Sequence, residues 1–104
     1  MSSRKKLKPK ILVVDDELDN LDLLYRTFHR EYKVLGSQSG LEALKILETS
    51  EEVAVIISDQ RMPKMSGTEF LSLTANQYPN TIRIVLTGFT DIEKFLITID
   101  HQLQ

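Results

Sequence analysis

Apolar and polar positions alternate along the chain in two different periods, and the change of period marks the elements. Ile11-Leu12-Val13-Val14 is a short β-branched run with no in/out alternation, as expected of a strand covered on both faces. Asp15-Asp16-Glu17 follows it. Leu21, Leu24, Tyr25 and Phe28 then fall at i, i+3, i+4 and i+7, the stripe of an amphipathic helix. Lys33-Val34-Leu35 is a weaker strand. Ser39-Gly40-Leu41-Glu42 has capping-box spacing and opens a helix with Leu41, Leu44 and Leu47. Val53–Ile57, the longest unbroken apolar run, is the strongest strand pattern, and Ser58-Asp59-Gln60-Arg61-Met62-Pro63 follows it. Ser66–Glu69 repeats the capping-box spacing ahead of Phe70, Leu71 and Leu73. Tyr78-Pro79-Asn80 reads as a turn and Ile82–Leu86 as a fourth strand ending at Thr87-Gly88. Thr90-Asp91-Ile92-Glu93 predicts a fourth helix with Ile92, Phe95, Leu96, Ile99 and Leu103 on one stripe.

The order β-α-β-α-β-α-β-α predicts a parallel sheet with right-handed crossovers and helices on both faces. Ligands of such sheets sit beyond the carboxyl ends of the strands. Asp15 and Asp16 follow the first strand, Asp59 the third and Thr87 the fourth, so all four are placed to converge. Three converging carboxylates repel one another, and a hard divalent cation with oxygen ligands offsets that repulsion, Mg²⁺ being the usual one and Mn²⁺ a substitute. A carboxylate beside such an ion can act as a nucleophile toward phosphorus, with a hydroxyl such as that of Thr87 donating to the transferred group. Each piece has a plainer reading. Asp-Asp-Glu after a strand suits a helix N-terminus. Asp59 and Thr87-Gly88 suit turns, and Met62, Pro63 and Met65 suit loop packing.

Composition narrows the class. The 104 residues are 41% hydrophobic and 27% charged, enough for one small domain. The formal charge of −2 argues against a general nucleic-acid binder. It hides an asymmetry, because Arg4, Lys5, Lys6, Lys8 and Lys10 crowd the start of the chain. Residues 1–9 are expected to form a basic, mobile arm and residues 10–104 the domain. The absence of cysteine excludes disulfides, thiolate metal sites and thiol catalysis. No apolar run is long enough to span a membrane, and none follows the basic start as in a signal peptide, so a cytoplasmic location is expected. His29 and His101 lack a second His at ligand spacing and are expected at the surface.

Ile11-Leu12-Val13-Val14-Asp15-Asp16-Glu17, Ser58-Asp59-Gln60-Arg61-Met62-Pro63-Lys64-Met65-Ser66-Gly67 and Val85-Leu86-Thr87-Gly88 together resemble the receiver domain of two-component response regulators. The resemblance covers about residues 9–103, and Asp-x-x-Met-Pro-x-Met-x-Gly is its most specific stretch. It implies a flavodoxin-like (CheY-like) doubly wound α/β sheet of order 2-1-3-4-5. It further implies that Asp59 is the phosphoacceptor and Thr87 the switch hydroxyl. Asp15, Asp16, Asp59 and the backbone carbonyl of Arg61 would hold Mg²⁺. A sensor histidine kinase would supply the phosphoryl group, an unnamed downstream protein would read it, and the domain would modify itself rather than turn over a substrate.

Receivers continue into a fifth strand with a switch aromatic, a Lys-Pro and a fifth helix, whereas no Lys-Pro follows Thr87 here. The expected fold is therefore a sheet of order 2-1-3-4 lacking the fifth strand and helix. Strand four would be an open edge, which predicts a homo-oligomer built through strand four and helix four. A degenerate receiver serving as an interaction module is the alternative function. A Mg²⁺-dependent phosphatase fits poorly, because Asp-Asp-Glu replaces the Asp-x-Asp of such enzymes. The Arg61 side chain could pair with Glu17 or Asp15 or lend positive charge to a phosphoryl group, but a solvated loop residue is the expected reading.

Overall fold

In the computed structural model, residues 7–87 and 95–99 are described. Eight elements follow one another: β1 (Lys10–Val14), α1 (Leu18–Phe28), β2 (Lys33–Ser37), α2 (Gly40–Thr49), β3 (Val53–Asp59), α3 (Gly67–Ala75), β4 (Ile82–Thr87) and β5 (Phe95–Ile99). The strands lie in the order β2-β1-β3-β4-β5. The first four are parallel, as expected, and β5 runs antiparallel beside β4.

The apolar runs behave as their lack of alternation requires. In β1, Leu12 and Val14 face one way, into a core completed by Ile56, Val85, Ala43, Leu47, Phe70 and Leu71. That side is roofed by α2 and α3. Ile11 and Val13 face the other way, with Ile57, against Leu21, Leu24 and Phe28 of α1. The roof of α1 is lighter, for none of its residues is fully buried. Three apolar positions counted in the helix stripes point outward instead. Leu41 is exposed, and Ala43 takes the inner face beside Leu47. Leu73 is exposed on α3. Tyr25 is exposed and its ring stacks on His29 at 5.0 Å, which half-covers that histidine.

Helix starts follow the capping patterns. At α3 the box is complete: Glu69 N–H donates to Ser66 Oγ at 3.1 Å, and Ser66 N–H donates to the Glu69 carboxylate at 2.9 Å. At α2 only half of it forms. Ser39 Oγ accepts from Glu42 N–H, while the Glu42 carboxylate turns to Gln38 N–H at 2.8 Å. The interior of β4 holds a residue that no apolar pattern anticipates. Arg83 is 1% exposed, and its Nη1 donates to the Tyr78 carbonyl at 2.8 Å. Its Nε has no hydrogen-bond partner.

Two expectations are corrected at the far edge of the sheet. Phe95–Ile99, placed on the stripe of a fourth helix, forms β5, paired with Arg83–Thr87. A fifth strand is thus present, although it is not the parallel one that the resemblance implies. Phe-Leu-Ile-Thr-Ile is aromatic and β-branched, and so dense a run fits a helical stripe and a strand equally well. The open row of N–H and C=O groups along β4 decides between them. Strand four is therefore not a bare edge, and the expected assembly through it loses its premise. The Thr90–Glu93 capping spacing, Gly88, His101 and residues 1–6 of the basic arm lie outside the described residues.

Phe70 is 0% exposed at the centre of the larger core, whereas Leu73 on the same helix is 54% exposed. Phe70→Ala should destabilise the domain by about 3–5 kcal/mol, near its whole stability. Leu73→Ala should stay within about 0.5 kcal/mol of wild type. Urea unfolding followed by circular dichroism separates the two, and equal midpoints would contradict this assignment of the core.

Candidate functional site

Val14 ends β1 deep in the core, so the next residues emerge at the carboxyl edge of the sheet beside the start of α1. Asp15 is still buried, at 1% exposure. Its backbone N–H donates to the Ser37 carbonyl at 3.0 Å, extending the pairing toward β2. Its carboxylate accepts from Glu17 N–H at 3.0 Å and from Asn20 Nδ2 at 3.1 Å. Glu17, the N-cap residue of α1, makes no side-chain cap of its own, and the Asp15 carboxylate holds the Glu17 N–H just ahead of the helix. The plainer reading of Asp-Asp-Glu as a helix start is correct as far as it goes, and the site uses the same side chain.

Asp59 is the last residue of β3 and pairs in register with Leu86 of β4. Carboxylate oxygens of Asp15, Asp16 and Asp59 all lie within 4.8 Å of one another. The convergence expected from the strand order is therefore present for these three. Thr87 ends β4 one residue beyond the partner of Asp59 and is half-buried. Arg61, two residues past Asp59, is exposed.

The loop from Asp59 to α3 is tightly drawn. Met65 N–H donates to the Pro63 carbonyl at 2.7 Å across Lys64, which has φ 71°. This is a γ-turn with a left-handed, non-glycine centre, a geometry that stores about 1–3 kcal/mol of strain. Met62 and Met65 anchor the loop against the larger core, so their plainer reading as packing residues also holds. Gly67 opens α3 so close behind Asp59 that a Cβ there would overlap the Asp59 carbonyl oxygen. Gln60 is knitted into both neighbours. Its N–H donates to the Leu86 carbonyl at 3.2 Å, and its carbonyl accepts from Gly67 N–H at 3.0 Å. Its carboxamide holds Thr68 twice, accepting from Thr68 N–H at 2.9 Å and donating to Thr68 Oγ1 at 3.2 Å. Nothing in the sequence marks Gln60 or Asn20, because neither contact follows a periodic pattern.

Three carboxylates this close have the oxygen chemistry of a hard divalent cation site. The carboxylate at the strand end is placed to react with an electrophile drawn to that cation. Among the described residues no helix is long and apolar enough to cross a membrane.

Comparison with known proteins gives one family. Residues 11–103 match the family described as the response regulator receiver domain. A hydrogenase transcriptional regulatory protein, HoxA, of Cupriavidus necator is 41% identical over 91 residues, which are 88% of this chain and 19% of that protein. Sporulation initiation phosphotransferase F of Bacillus subtilis is 31% identical over 88 residues, 84% of this chain and 70% of that protein. The signal receiver domain of an HD domain-containing protein from Pseudomonas fluorescens superposes with a TM-score of 0.75 at 32% identity, over 88% of this chain and 67% of that one. The chain thus spans about a fifth of the length of the hydrogenase regulator that it resembles.

Two substitutions check the geometry. Gly67→Ala should destabilise by about 1–3 kcal/mol or more, because backbone rather than a flexible side chain must move. An unchanged urea midpoint would contradict the close approach. Asp16→Asn removes one of three like charges, each pair repelling by about 1 kcal/mol even in bulk water at such distances. In chelator the variant should melt roughly 4–8 °C above wild type for each kcal/mol relieved. A lower melting temperature would mean that the carboxylates do not repel.

Proposed function

The chain belongs to the response regulator receiver domain family, and on that footing we propose that Asp59 accepts a phosphoryl group from the phosphohistidine of a sensor histidine kinase in a Mg²⁺-dependent reaction. The observation that carries this reading is the approach of the Asp15, Asp16 and Asp59 carboxylates within 4.8 Å of one another at the carboxyl edge of the sheet. Asp15, Asp16, Asp59 and the backbone carbonyl of Arg61 are the groups that would hold the ion, with Mn²⁺ able to replace Mg²⁺. The ion supplies positive charge to the oxygens of the transferring group.

The chain's own groups then do the following. A carboxylate oxygen of Asp59 attacks phosphorus in line, an O–P bond forms and the P–N bond to the donor imidazole breaks. The imidazole nitrogen keeps the electron pair and takes up a proton. Asp15, held by Glu17 N–H and Asn20, keeps its orientation through the step. Thr87 turns its hydroxyl to the new phosphoryl oxygens and so reports occupancy to β4. The domain is a cytoplasmic, self-modifying signalling module, read by a downstream protein, rather than a turnover enzyme.

Mass spectrometry after incubation with phosphoramidate and Mg²⁺ tests this. Wild type should gain one phosphoryl group on the peptide containing residue 59. Chelator should abolish the labelling, and Asp59→Asn should lose it entirely. A labelled peptide that excludes residue 59 would refute the assignment.

A further inference from the structure

We infer that Gln60 is a positioning residue for the phosphoacceptor, its side-chain carboxamide clamping the start of α3 and thereby fixing the backbone on which Asp59 sits. This rests on the reading of Asp59 as nucleophile. Gln60 follows Asp59 directly, and its main chain already spans two elements: its N–H reaches the Leu86 carbonyl next to Thr87, and its carbonyl receives the Gly67 N–H. The side chain adds a third tie. Oε1 accepts from Thr68 N–H at 2.9 Å and Nε2 donates to Thr68 Oγ1 at 3.2 Å. Thr68 N–H is one of the first-turn donors that a helix cannot satisfy within itself. Ser66 Oγ is taken by Glu69 N–H, so the second free donor of that turn is met by Gln60.

The geometry of this clamp is specific. Thr68 lies eight residues ahead of Gln60, and their contact closes the loop that holds Arg61 and the strained turn at Lys64. Gly67, between Ser66 and Thr68, lies flush against the Asp59 and Gln60 backbone. A shift of α3 along its axis would therefore move the Asp59 carbonyl and the loop together. Without the carboxamide, the main-chain bonds of Gln60 remain, but the bidentate contact that sets the height of α3 over Asp59 is gone. Misplacement of a reacting group by about 1 Å can lower a rate as much as a hundredfold. The clamp itself is solvent-exposed, so it adds little to global stability. Reactivity and stability thus separate.

The test compares wild type, Gln60→Ala, Thr68→Val, the double variant and Thr68→Ser. The rate of Asp59 phosphorylation by phosphoramidate is measured at saturating Mg²⁺, alongside Mg²⁺ affinity by calorimetry and the urea midpoint. Gln60→Ala should label about tenfold more slowly with its urea midpoint nearly unchanged. Thr68→Val should lose less, because its N–H remains. The double variant should be little slower than Gln60→Ala alone, since the Gln60–Thr68 contact is already lost and only the exposed Ser66 Oγ–Thr68 Oγ1 bond at 3.3 Å goes with it. Thr68→Ser keeps the hydroxyl and should label at the wild-type rate. Wild-type labelling by Gln60→Ala, or losses that multiply in the double variant, would overturn the clamp and leave the phosphoacceptor reading intact. Wild type that binds no Mg²⁺ and takes no label would overturn that reading, and the clamp with it.

Discussion

Mutual repulsion among Asp15, Asp16 and Asp59 is the constraint around which the carboxyl edge of this sheet is built. Their oxygens lie within 4.8 Å of one another, and one of the three is almost fully buried. Left to themselves, such groups would separate, and a short chain has little stability to spare for holding them. Asp15 and Asp59 stand at strand ends whose backbones are fixed by parallel pairing on both sides, and Asp16 follows Asp15 directly. Asp15 follows β1, between β2 and β3, and Asp59 ends β3, between β1 and β4. The order β2-β1-β3-β4 is what makes those two ends neighbours. The clustering of the carboxylates is thus a consequence of topology.

The surrounding loops hold that arrangement by hydrogen bonding rather than by bulk. Asp15 is turned by Glu17 N–H and Asn20, and the chain after Asp59 is held through Gln60, the turn at Lys64 and the complete capping box at Ser66. Two methionines seat the loop in the larger core. Methionine suits that task, because it fills irregular space without imposing a shape of its own.

What could be read from the residues follows from how local each signal is. β1 and β3 announce themselves as unbroken β-branched runs, since both their faces are covered. Ser66 and Glu69 are three residues apart, and their box forms as the spacing predicts. The strand-end rule is global, yet it needs only the element order, so Asp15, Asp16 and Asp59 could be placed together from the sequence. The Gln60–Thr68 contact spans eight residues across an irregular loop and leaves no periodic trace. Arg83 sits within Ile-Arg-Ile-Val-Leu, where nothing in the pattern tells a buried guanidinium from a solvated one. Phe95–Ile99 failed for the opposite reason. Its apolar residues are so dense that period 3.6 and period 2 both fit, and a tertiary contact with β4 settled the outcome.

The two faces of the sheet contribute unequally to the site. Asp59 continues into a loop and helix locked to the larger core by Phe70 and Leu71, both essentially inaccessible. Asp15 and Asp16 continue into α1, which buries no residue completely and rests on Leu21, Leu24 and Phe28. One carboxylate is thus held by the deeply packed layer and two by the lightly packed one. Local stability follows packing, so α1 is the looser support. A ligand bridging the carboxylates would tie the two supports together and stabilise the folded state that brings them into register.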